Sequence, residues 1–488
     1  MEHLNVADWL VITVYLAGII ALGVWFGKDQ RNTRDYFLGS RNVSWWAIGF
    51  SIVATETSAL TVIGVPGLAF GGDLGFLQMI VGYVLARIIL AAVLVPHYFK
   101  GEIYSPYQLL ADRFGPSARR TAGGFFLLSE TLAAGVRVYV VAIPLQLMLG
   151  IPVLPAILLF VGLSLIYTYV GGVKAVIWTD AVQFVLFLAG GLYTLWYLPT
   201  LLDGGWQGVW RTAGEAGKLE WFNPAFTLGA PYTIWMGLIG GTVMVLSSHG
   251  AEQLIVQRVL ACKTVRDGRR ALILSAALIF PMFLIFLLVG AFLWVYYQAQ
   301  PMAIPLPEAQ PGIQANDFVY PIFMLTEVPQ VLRGFLIVAL LAAAMSSVSS
   351  ALSALASVST MDFLKVAWPR RSEAVYLKWS KLSTLFWAGL LILVGYLSRQ
   401  VALVLDAAFS LRGLTSGALL GAVIMAVFLP RGSPRPIVIG MLSALAVMLV
   451  IKTQTAVFWP WYTLIGTTVC LGVTLALRQY EPASRASA

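Results

Sequence analysis

Residues 342–360, AAAMSSVSSALSALASVST, combine an apolar composition with seven serines and a final threonine. Five serines follow one another at intervals of 3, 1, 3 and 4 residues, which places them on one face of an α-helix. They are Ser346, Ser349, Ser350, Ser353 and Ser357, and Ser347 lies one residue off this face. A row of hydroxyl oxygens can coordinate a cation, and a row of small side chains can let two helices pack closely. This segment alone leaves both interpretations open.

A carboxylate elsewhere in the chain favours the cation. Asp180 lies in GGVKAVIWTDAVQ, residues 171–183, near the end of an apolar segment where a charge needs a partner. Sodium, like calcium and magnesium, is a hard cation that prefers oxygen ligands. The serine face, Asp180 and carbonyls from an unwound helix together predict a sodium site.

An unwound helix is predicted at SIVATETSALTVIGVPG, residues 51–67. Hydroxyls, Glu56, two glycines and a proline interrupt an otherwise apolar run, which makes a poor continuous helix. If the segment unwinds, its freed carbonyls and half-helix ends become ligands for ions and polar solutes. The alternative is a kink whose threonines bond their own backbone. Glu56 favours the binding site, because a kink needs no carboxylate.

A second interrupted segment is MGLIGGTVMVLSSHGAEQ, residues 236–253, which lies five apolar runs further along the chain. Interruptions at matching positions of two five-helix halves predict an inverted repeat with a binding site between the halves. An odd number of helices in each half gives the two halves opposite orientations.

The elements that position these residues are membrane spans. The chain has 488 residues, of which 59% are hydrophobic and 11% charged, and its mean hydropathy is +0.84. Such a composition excludes an ordinary soluble domain. Apolar runs long enough to cross a core of ~30 Å recur from end to end. We count about thirteen, at approximately 7–26, 44–70, 74–98, 120–149, 153–171, 176–197, 231–255, 271–298, 331–358, 381–397, 401–429, 436–451 and 460–477.

Most Lys and Arg residues fall in alternate loops, beginning with residues 27–43. Because basic loops stay on the cytoplasmic side, this predicts a multi-pass protein of the plasma (inner) membrane. Its N-terminus would lie outside and its C-terminus in the cytoplasm. The net charge of +9 then reflects orientation in the bilayer rather than binding to nucleic acid.

Other activities lack the motifs that they need. No G-x-x-x-x-G-K-[ST] motif is present, so no ATP-binding P-loop is expected. His3, His97 and His249 lie in different regions without helical histidine partners, and neither Cys262 nor Cys470 has metal-ligand company. No nucleophile has a candidate base nearby. The chain is therefore predicted to be a transporter or channel rather than an enzyme, with no nucleic-acid partner and no obligate protein partner evident.

Five segments make the chain resemble the sodium:solute symporter family, which includes sodium/galactose, sodium/proline and sodium/sialic acid transporters. The resemblance covers nearly the whole length, and the third and fifth segments are specific in combination. The segments are DYFLGSR (35–41), ETSALTVIGVPG (56–67), YVGGVKAVIWTDAVQ (169–183), QLIVQRVLA (253–261) and LLAAAMSSVSSALSALASVSTMDFLK (340–365).

The resemblance implies an all-α polytopic membrane fold of about 13 transmembrane helices with a LeuT-like 5+5 inverted repeat. Residues 1–488 would form one transporter domain. Its parts would be residues 1–43 (the first span and an inside loop), 44–197 (repeat 1, spans 2–6), 231–429 (repeat 2, spans 7–11) and 430–488 (two accessory C-terminal helices and a tail).

The family also implies the residues that bind sodium. The site common to the fold would use backbone carbonyls of the unwound span and hydroxyls of the serine-rich span. Its members here would be Ala54, Thr57, Ala343, Ser346 and Ser347. Relatives similar to the sialic acid transporter carry a further site, whose counterparts here would be Asp180, Ser346, Ser349 and Ser350. The complete serine set predicts that two sodium ions, the coupling ions, move in each cycle.

Positions that bind sugar in galactose-type members carry Thr61, Ile80 and Val245 here, which argues against a galactose-like mode. Arg137 lies near the position of an arginine in carboxylate-binding members, and Arg412 is another cation in mid-span. Because a guanidinium binds a carboxylate bidentately, an anionic or zwitterionic solute is predicted.

In the alternative interpretation, both arginines are internal ion-pair partners that lock helices together. Glu56 and Glu130 are the candidate partners, and Glu130 shares a helical face with Arg137. The predicted substrate-binding set is Glu56, Ser58, Thr61, Phe76, Gln78, Arg137, Ser248 and Arg412.

These observations predict a sodium-coupled symporter that works in the lipid bilayer by alternating access. It would import a small polar solute that carries a carboxylate, such as a sugar acid, a monocarboxylate or an amino acid. The alternatives are symport of a neutral sugar or polyol, and proton coupling through Glu56 or Asp180. A membrane sensor is disfavoured because the tail RQYEPASRASA is too short for a signalling domain, and a channel because no filter segment is found.

Overall fold

The computed structural model describes residues 4–28, 30–229, 232–308, 314–398 and 404–479, and its regular structure there is helical apart from one isolated β-bridge between Val43 and Cys262. Within these ranges, eight helices are long and apolar enough to cross a membrane, or nine if one bent pair counts as a single span. A helix satisfies its own backbone hydrogen bonds, which a chain in hydrocarbon must do. The shorter apolar helices Leu77–Val93 and Arg412–Phe428 fall outside this count.

The α-helices run in chain order as α1 to α20. They are Val6–Phe26, Thr33–Leu38, Trp45–Glu56, Ala59–Gly71, Leu77–Val93, Val95–Tyr98, Tyr107–Phe114, Pro116–Leu149, Val153–Tyr197, Gly205–Glu215, Thr242–Gly250, Gln253–Leu260, Val265–Ala299, Val319–Thr326, Leu332–Val358, Lys365–Ala367, Glu373–Ser398, Val404–Phe428, Pro434–Gln454 and Tyr462–Gln479. Four 3₁₀ turns are Gly39–Arg41, Leu198–Leu201, Ala315–Phe318 and Trp459–Trp461, and two π-helical segments are Met236–Gly241 and Ser359–Leu364.

The interruption predicted in residues 51–67 is present. Helix α3 ends at Glu56, α4 begins at Ala59, and the two are bent by 59°. Close packing explains one glycine of α4, because a Cβ on Gly67 would lie 2.7 Å from Asp317 Oδ1. The segment is therefore a broken span, and the simple kink is not what the structure shows.

The second predicted interruption is also present. The π-helical segment Met236–Gly241 continues into α11, which ends at Gly250. Ala251 and Glu252 leave the helical conformation, and α12 starts at Gln253. The break falls at the end of the segment that the sequence indicated.

In helix α9 the structure differs from the predicted boundary between two spans. The sequence predicts two spans, 153–171 and 176–197, but the structure joins them with no loop. Only Gly172 leaves the helical conformation, with φ 54° and ψ −153°. A side chain there would also meet the carbonyl oxygen of Tyr36 at 2.3 Å, so glycine alone allows this turn.

Helix α15, which carries the serines, lies at the centre. In its most apolar stretch 94% of the residues are buried, against 17% in α1. It packs against α1, α3, α4, α8, α9 and α17. Its first turn is capped from α1, because Asp8 Oδ1 accepts hydrogen bonds from the N–H groups of Val331 (2.9 Å) and Gly334 (3.1 Å).

Candidate functional site

The break between α3 and α4 frees two backbone carbonyls. The Ser58 N–H donates to the carbonyl of Glu56 (3.1 Å), and the Thr61 N–H donates to that of Ser58 (2.9 Å). In a continuous helix these two N–H groups would bond the carbonyls of Ala54 and Thr57. The carbonyls of Ala54 and Thr57 have therefore lost their helical donors and are available to a cation.

The group predicted around Asp180 is brought together. Asp180 lies on α9 and its Oδ1 accepts from Ser346 Oγ of α15 at 2.7 Å. The hydroxyls of Ser349 and Ser350 donate to the carbonyl of Ser346 at 3.1 and 2.6 Å. All four residues are fully buried, so this oxygen cluster lies inside the protein.

Arg258, which the sequence interpretation missed, completes this cluster. Its Nη2 donates to Asp180 Oδ2 at 2.9 Å and to Ser350 Oγ, and its Nε donates to Ser51 Oγ at 2.8 Å. Both charged side chains are completely buried, so each needs the other. Asp180 Oδ1 accepts only from Ser346 among the described residues, which leaves it a lone pair for a cation. The donor set is all oxygen and fits sodium.

The residues predicted for the common site lie on α3, at its C-cap Thr57, and on α15. The hydroxyls of Thr55 and Ser350 are 3.2 Å apart, so the end of α3 lies against the serine face. Ser347 Oγ donates to the carbonyl of Ala343 at 3.2 Å. Ala54 and Ala343 are fully buried and Ser347 is partly exposed. The freed carbonyls of α3 and these oxygens of α15 thus occupy facing elements.

A small pocket lies beside these elements. Ser58, Arg137 and Ser347 line it together with apolar side chains of α8, α9 and α15. Arg137 Nη2 donates to Glu130 Oε1 at 3.3 Å and its Nε to the carbonyl of Ala133 at 3.2 Å. Its Nη1 has no hydrogen-bond partner in the described part of the chain, so the guanidinium keeps donors for a ligand.

The pair between Glu130 and Arg137, which the sequence proposed as an alternative, is present. Arg412 pairs instead with Glu252, a residue that the sequence interpretation did not single out; its Nε lies 2.8 Å from Glu252 Oε2. Glu56 pairs with Arg87, on α5, and not with Arg137 or Arg412. Of the two candidate partners, Glu130 therefore pairs with Arg137 as expected, whereas the expectation that Glu56 pairs with Arg137 or Arg412 is wrong.

Four further residues of the predicted substrate set do not line this pocket. Thr61 is partly exposed on α4. Phe76 stacks on Phe283, with ring centroids 5.6 Å apart. Ser248 Oγ lies 2.8 Å from His249 Nδ1.

The polar atoms of Gln78 are already hydrogen-bonded to backbone groups. Its Oε1 accepts from the N–H of Asn223 at 2.9 Å, and its Nε2 donates to the carbonyl of Tyr232 at 2.8 Å.

One signal could have identified the missed residues. Arg87, Glu252 and Arg258 are charges in or beside apolar segments, where each requires an opposite charge. The spacing of residues along the helix predicted only the pair of Glu130 and Arg137, which lie on the same helix. The three other pairs join residues 31, 78 and 160 positions apart, which no helical period connects.

Comparison with known proteins gives a family and several relatives. The model of the sodium:solute symporter family matches residues 36–448. The sodium/sialic acid symporter SiaT of Proteus mirabilis is 29% identical over 98% of this chain and 96% of its own length. The sodium/sialic acid symporter NanT of Aliivibrio fischeri is 28% identical over 96% and 92%. The sodium-coupled monocarboxylate transporter 2 of Bos taurus is 27% identical over 91% and 72%.

Solved structures agree on the architecture. The substrate-bound, outward-open structure of a Na⁺-coupled sialic acid symporter superposes with a TM-score of 0.89 at 26% identity, covering 98% of this chain and 99% of that one. The closed conformation of Mhp1, a nucleobase-cation-symport-1 family transporter, superposes with a TM-score of 0.59 at 14% identity, covering 91% and 94%. The second likeness concerns the fold alone.

Proposed function

Because this chain belongs to the sodium:solute symporter family, we propose that it couples the sodium gradient to the import of a small solute that carries a carboxylate. One observation carries the proposal. The pocket that holds Arg137 is also lined by Ser58, at the break of the unwound span, and by Ser347, a proposed sodium ligand. A solute group bound to Arg137 at this pocket would touch the elements proposed to bind sodium, which is the requirement for coupling.

The carboxylate would bind between Arg137 and the N-terminus of α4. Ser58 is the N-cap of α4, and its hydroxyl makes no capping hydrogen bond. In the first turn of α4 the N–H groups of Ala59 and Leu60 have no helical acceptors, and the partial positive charge at this helix end attracts an anion. A guanidinium opposite a helix N-terminus thus offers donors to both oxygens of a carboxylate.

The names of the relatives support an acidic solute, since two transport sialic acid and one a monocarboxylate. In this assignment Thr61 and Ser248 line the space for the rest of the solute. Gln78 instead holds the loop around Asn223, because its amide is already bonded there.

Two sodium sites accompany the solute in the proposal. The common site uses the carbonyls of Ala54, Thr57 and Ala343 and the hydroxyls of Ser346 and Ser347. The second uses Asp180, Ser346, Ser349 and Ser350. What supports them is the loss of helical donors at α3 and the all-oxygen cluster at α15.

The proposed architecture is a five-plus-five repeat, residues 44–197 and 231–429, within about thirteen spans. The two helix breaks support it, because each falls in the first span of its half. We place the N-terminus outside and the C-terminus in the cytoplasm on the distribution of Lys and Arg.

The first test is thermal stability of the purified protein in NaCl and in KCl at equal ionic strength, with sugars, sugar acids, monocarboxylates and amino acids. A ligand at 100 times its Kd should stabilise the folded state by roughly 2.7 kcal/mol. We expect a sodium-specific increase that acids enlarge and neutral sugars do not.

Arg137→Lys gives the matched variant, since it keeps the charge and removes the bidentate geometry. The acid-dependent part of the stabilisation should fall while the sodium-dependent part stays. Equal curves in NaCl and KCl would contradict sodium coupling, and an equal response to neutral sugars would contradict the carboxylate.

A further inference from the structure

Arg87 makes one contact to each of four helical elements. Its Nη2 pairs with Glu56 of α3 and lies 3.1 Å from His249 Nε2 of α11. Its Nε donates to Ser275 Oγ of α13 at 3.2 Å, and its Nη1 donates to the carbonyl of Tyr83 on α5 at 2.9 Å. The side chain is completely buried, so it contacts neither solvent nor the pocket that Arg137 lines.

The arrangement exceeds what charge balance requires. One carboxylate neutralises a guanidinium, and Glu56 already supplies it. The contacts to His249 and Ser275 add no charge but fix the direction of the guanidinium, whose donors form a planar fork. An arginine only donates, so in a hydrogen bond with Arg87 the acceptor is His249 Nε2; the other ring nitrogen, Nδ1, lies 2.8 Å from Ser248 Oγ.

Both helix breaks end at these contacts. Glu56 is the last residue of α3, and its carbonyl accepts the Ser58 N–H that would otherwise bond Ala54. His249 lies one residue before Gly250, where α11 ends. The guanidinium of Arg87 therefore contacts the residues at the ends of both α3 and α11.

We propose that Arg87 is a positioning residue for sodium, which holds the α3–α4 break in the shape that turns the carbonyls of Ala54 and Thr57 toward the ion. The proposal rests on the function proposed above, because it takes those carbonyls as sodium ligands. Glu56 then acts through the backbone rather than by touching the solute.

The test uses Arg87→Met, which keeps an unbranched side chain and removes the donors. The readout is the NaCl concentration that gives half of the maximal increase in thermal stability, without solute. Partners behind the ligands of a metal ion typically change its affinity by about 10–100-fold, so we expect an increase of at least about tenfold. Solute affinity at saturating sodium should change less than about threefold. That is well below the tenfold change, or about 1.4 kcal/mol, that is expected for sodium.

Two further variants separate positioning from charge balance and from general instability. The double variant Arg87→Met with Glu56→Gln has no unpaired buried charge, but it still lacks the guanidinium donors. Its sodium response should therefore stay weak. Tyr320→Phe removes a buried hydrogen bond of 2.8 Å to Thr194, away from the breaks, and should lower stability without moving the sodium midpoint.

A wild-type sodium midpoint in folded Arg87→Met, or full recovery in the double variant, would overturn the positioning role. If Arg87→Met does not fold, Ser275→Ala, which removes the contact of Arg87 to α13 and leaves its other three contacts, must raise the midpoint, and an unchanged midpoint would overturn the role equally. Failure of the proposed function looks different, because the wild-type protein itself would then show no sodium-specific stabilisation.

Discussion

Ser346 is the residue shared by both proposed sodium sites. Its hydroxyl donates to Asp180 Oδ1 at 2.7 Å, and its carbonyl accepts from Ser349 and Ser350. Ser346→Ala should therefore remove most of the sodium-dependent stabilisation, which is roughly 2.7 kcal/mol at 100 times Kd. The lost hydrogen bond to a buried carboxylate should lower the stability in KCl by about 1.5–3 kcal/mol. Thermal unfolding at a series of NaCl concentrations measures both effects.

Ser353→Ala is the matched control on the same helix face. Ser353 is 3% exposed, and its hydroxyl has no hydrogen-bond partner among the described residues. Its sodium response should equal that of the wild-type protein. If the two alanine variants lost sodium stabilisation alike, the serine face would be a packing surface.

Asp317, in the 3₁₀ turn before α14, should make stability depend on pH. Burial raises the pKa of its carboxyl from 3.8 to about 6, against a hydrogen bond from the Gln314 N–H that lowers it. Because the folded-state pKa is the higher one, the stabilisation is complete below about pH 4 and is lost as the pH rises through about 6. Two pKa units correspond to about 3 kcal/mol as an upper value.

Asp317→Asn keeps an acceptor for the Gln314 N–H and cannot ionise. The variant should be more stable than the wild-type protein at pH 8 and less sensitive between pH 4 and 7. Unfolding by heat across this range tests the difference, and parallel curves for the two proteins would exclude Asp317 as its source.

Residue spacing predicted contacts along one helix and missed contacts between helices. The serine face and the pair of Glu130 with Arg137 follow from the helical period. Arg258 reaches Asp180 from a helix that begins 73 residues later, so only the requirement that a buried charge be paired could have pointed to it.

At the scale of elements, α5 and the π-helical segment Met236–Gly241 approach more closely than side chains allow. A Cβ on Gly82 would lie 1.9 Å from the carbonyl oxygen of Gly237 and 2.8 Å from the N of Thr242. Gly82→Ala should lower stability by about 1–3 kcal/mol, because the helices must separate. It should also weaken sodium binding, because α5 carries Arg87.

Gly162→Ala in α9 provides the comparison. No heavy atom lies within 4 Å of the Cβ that it would add, and alanine is the better helix former by about 1 kcal/mol. This variant should be as stable as the wild-type protein or more so. Unfolding of both variants measures the difference, and equal behaviour would mean that α5 is free to shift.

Composition predicted the two interruptions of the apolar helices. Glycine, proline and polar residues marked both breaks in apolar runs. The joining of two spans at Gly172 was missed, because a glycine in an apolar sequence does not reveal that a carbonyl of Tyr36 fills the space beside it.

For the whole molecule, the proposed stoichiometry predicts electrogenic transport. Two sodium ions and one monovalent acid carry one net positive charge inward, which a potential of −100 mV assists by about 2.3 kcal/mol. In proteoliposomes, an inside-negative potassium diffusion potential should accelerate uptake of the acid. Ser349→Ala, which alters only the second site, should make uptake depend on one sodium ion and respond little to the potential. Uptake by the wild-type protein that ignored the potential would contradict two sodium ions.

Four of the buried ion pairs in the described part of the chain have a consequence for how this protein can change over evolutionary time. A substitution at position 56, 130, 180 or 252 strands an arginine in the interior, and one at position 87, 137, 258 or 412 strands an acid. A substitution of only one residue of such a pair would therefore cause a large loss of stability. Among descendants of a common ancestor, these positions should therefore be kept or replaced two at a time, and an alignment in which they vary independently would speak against the pairs.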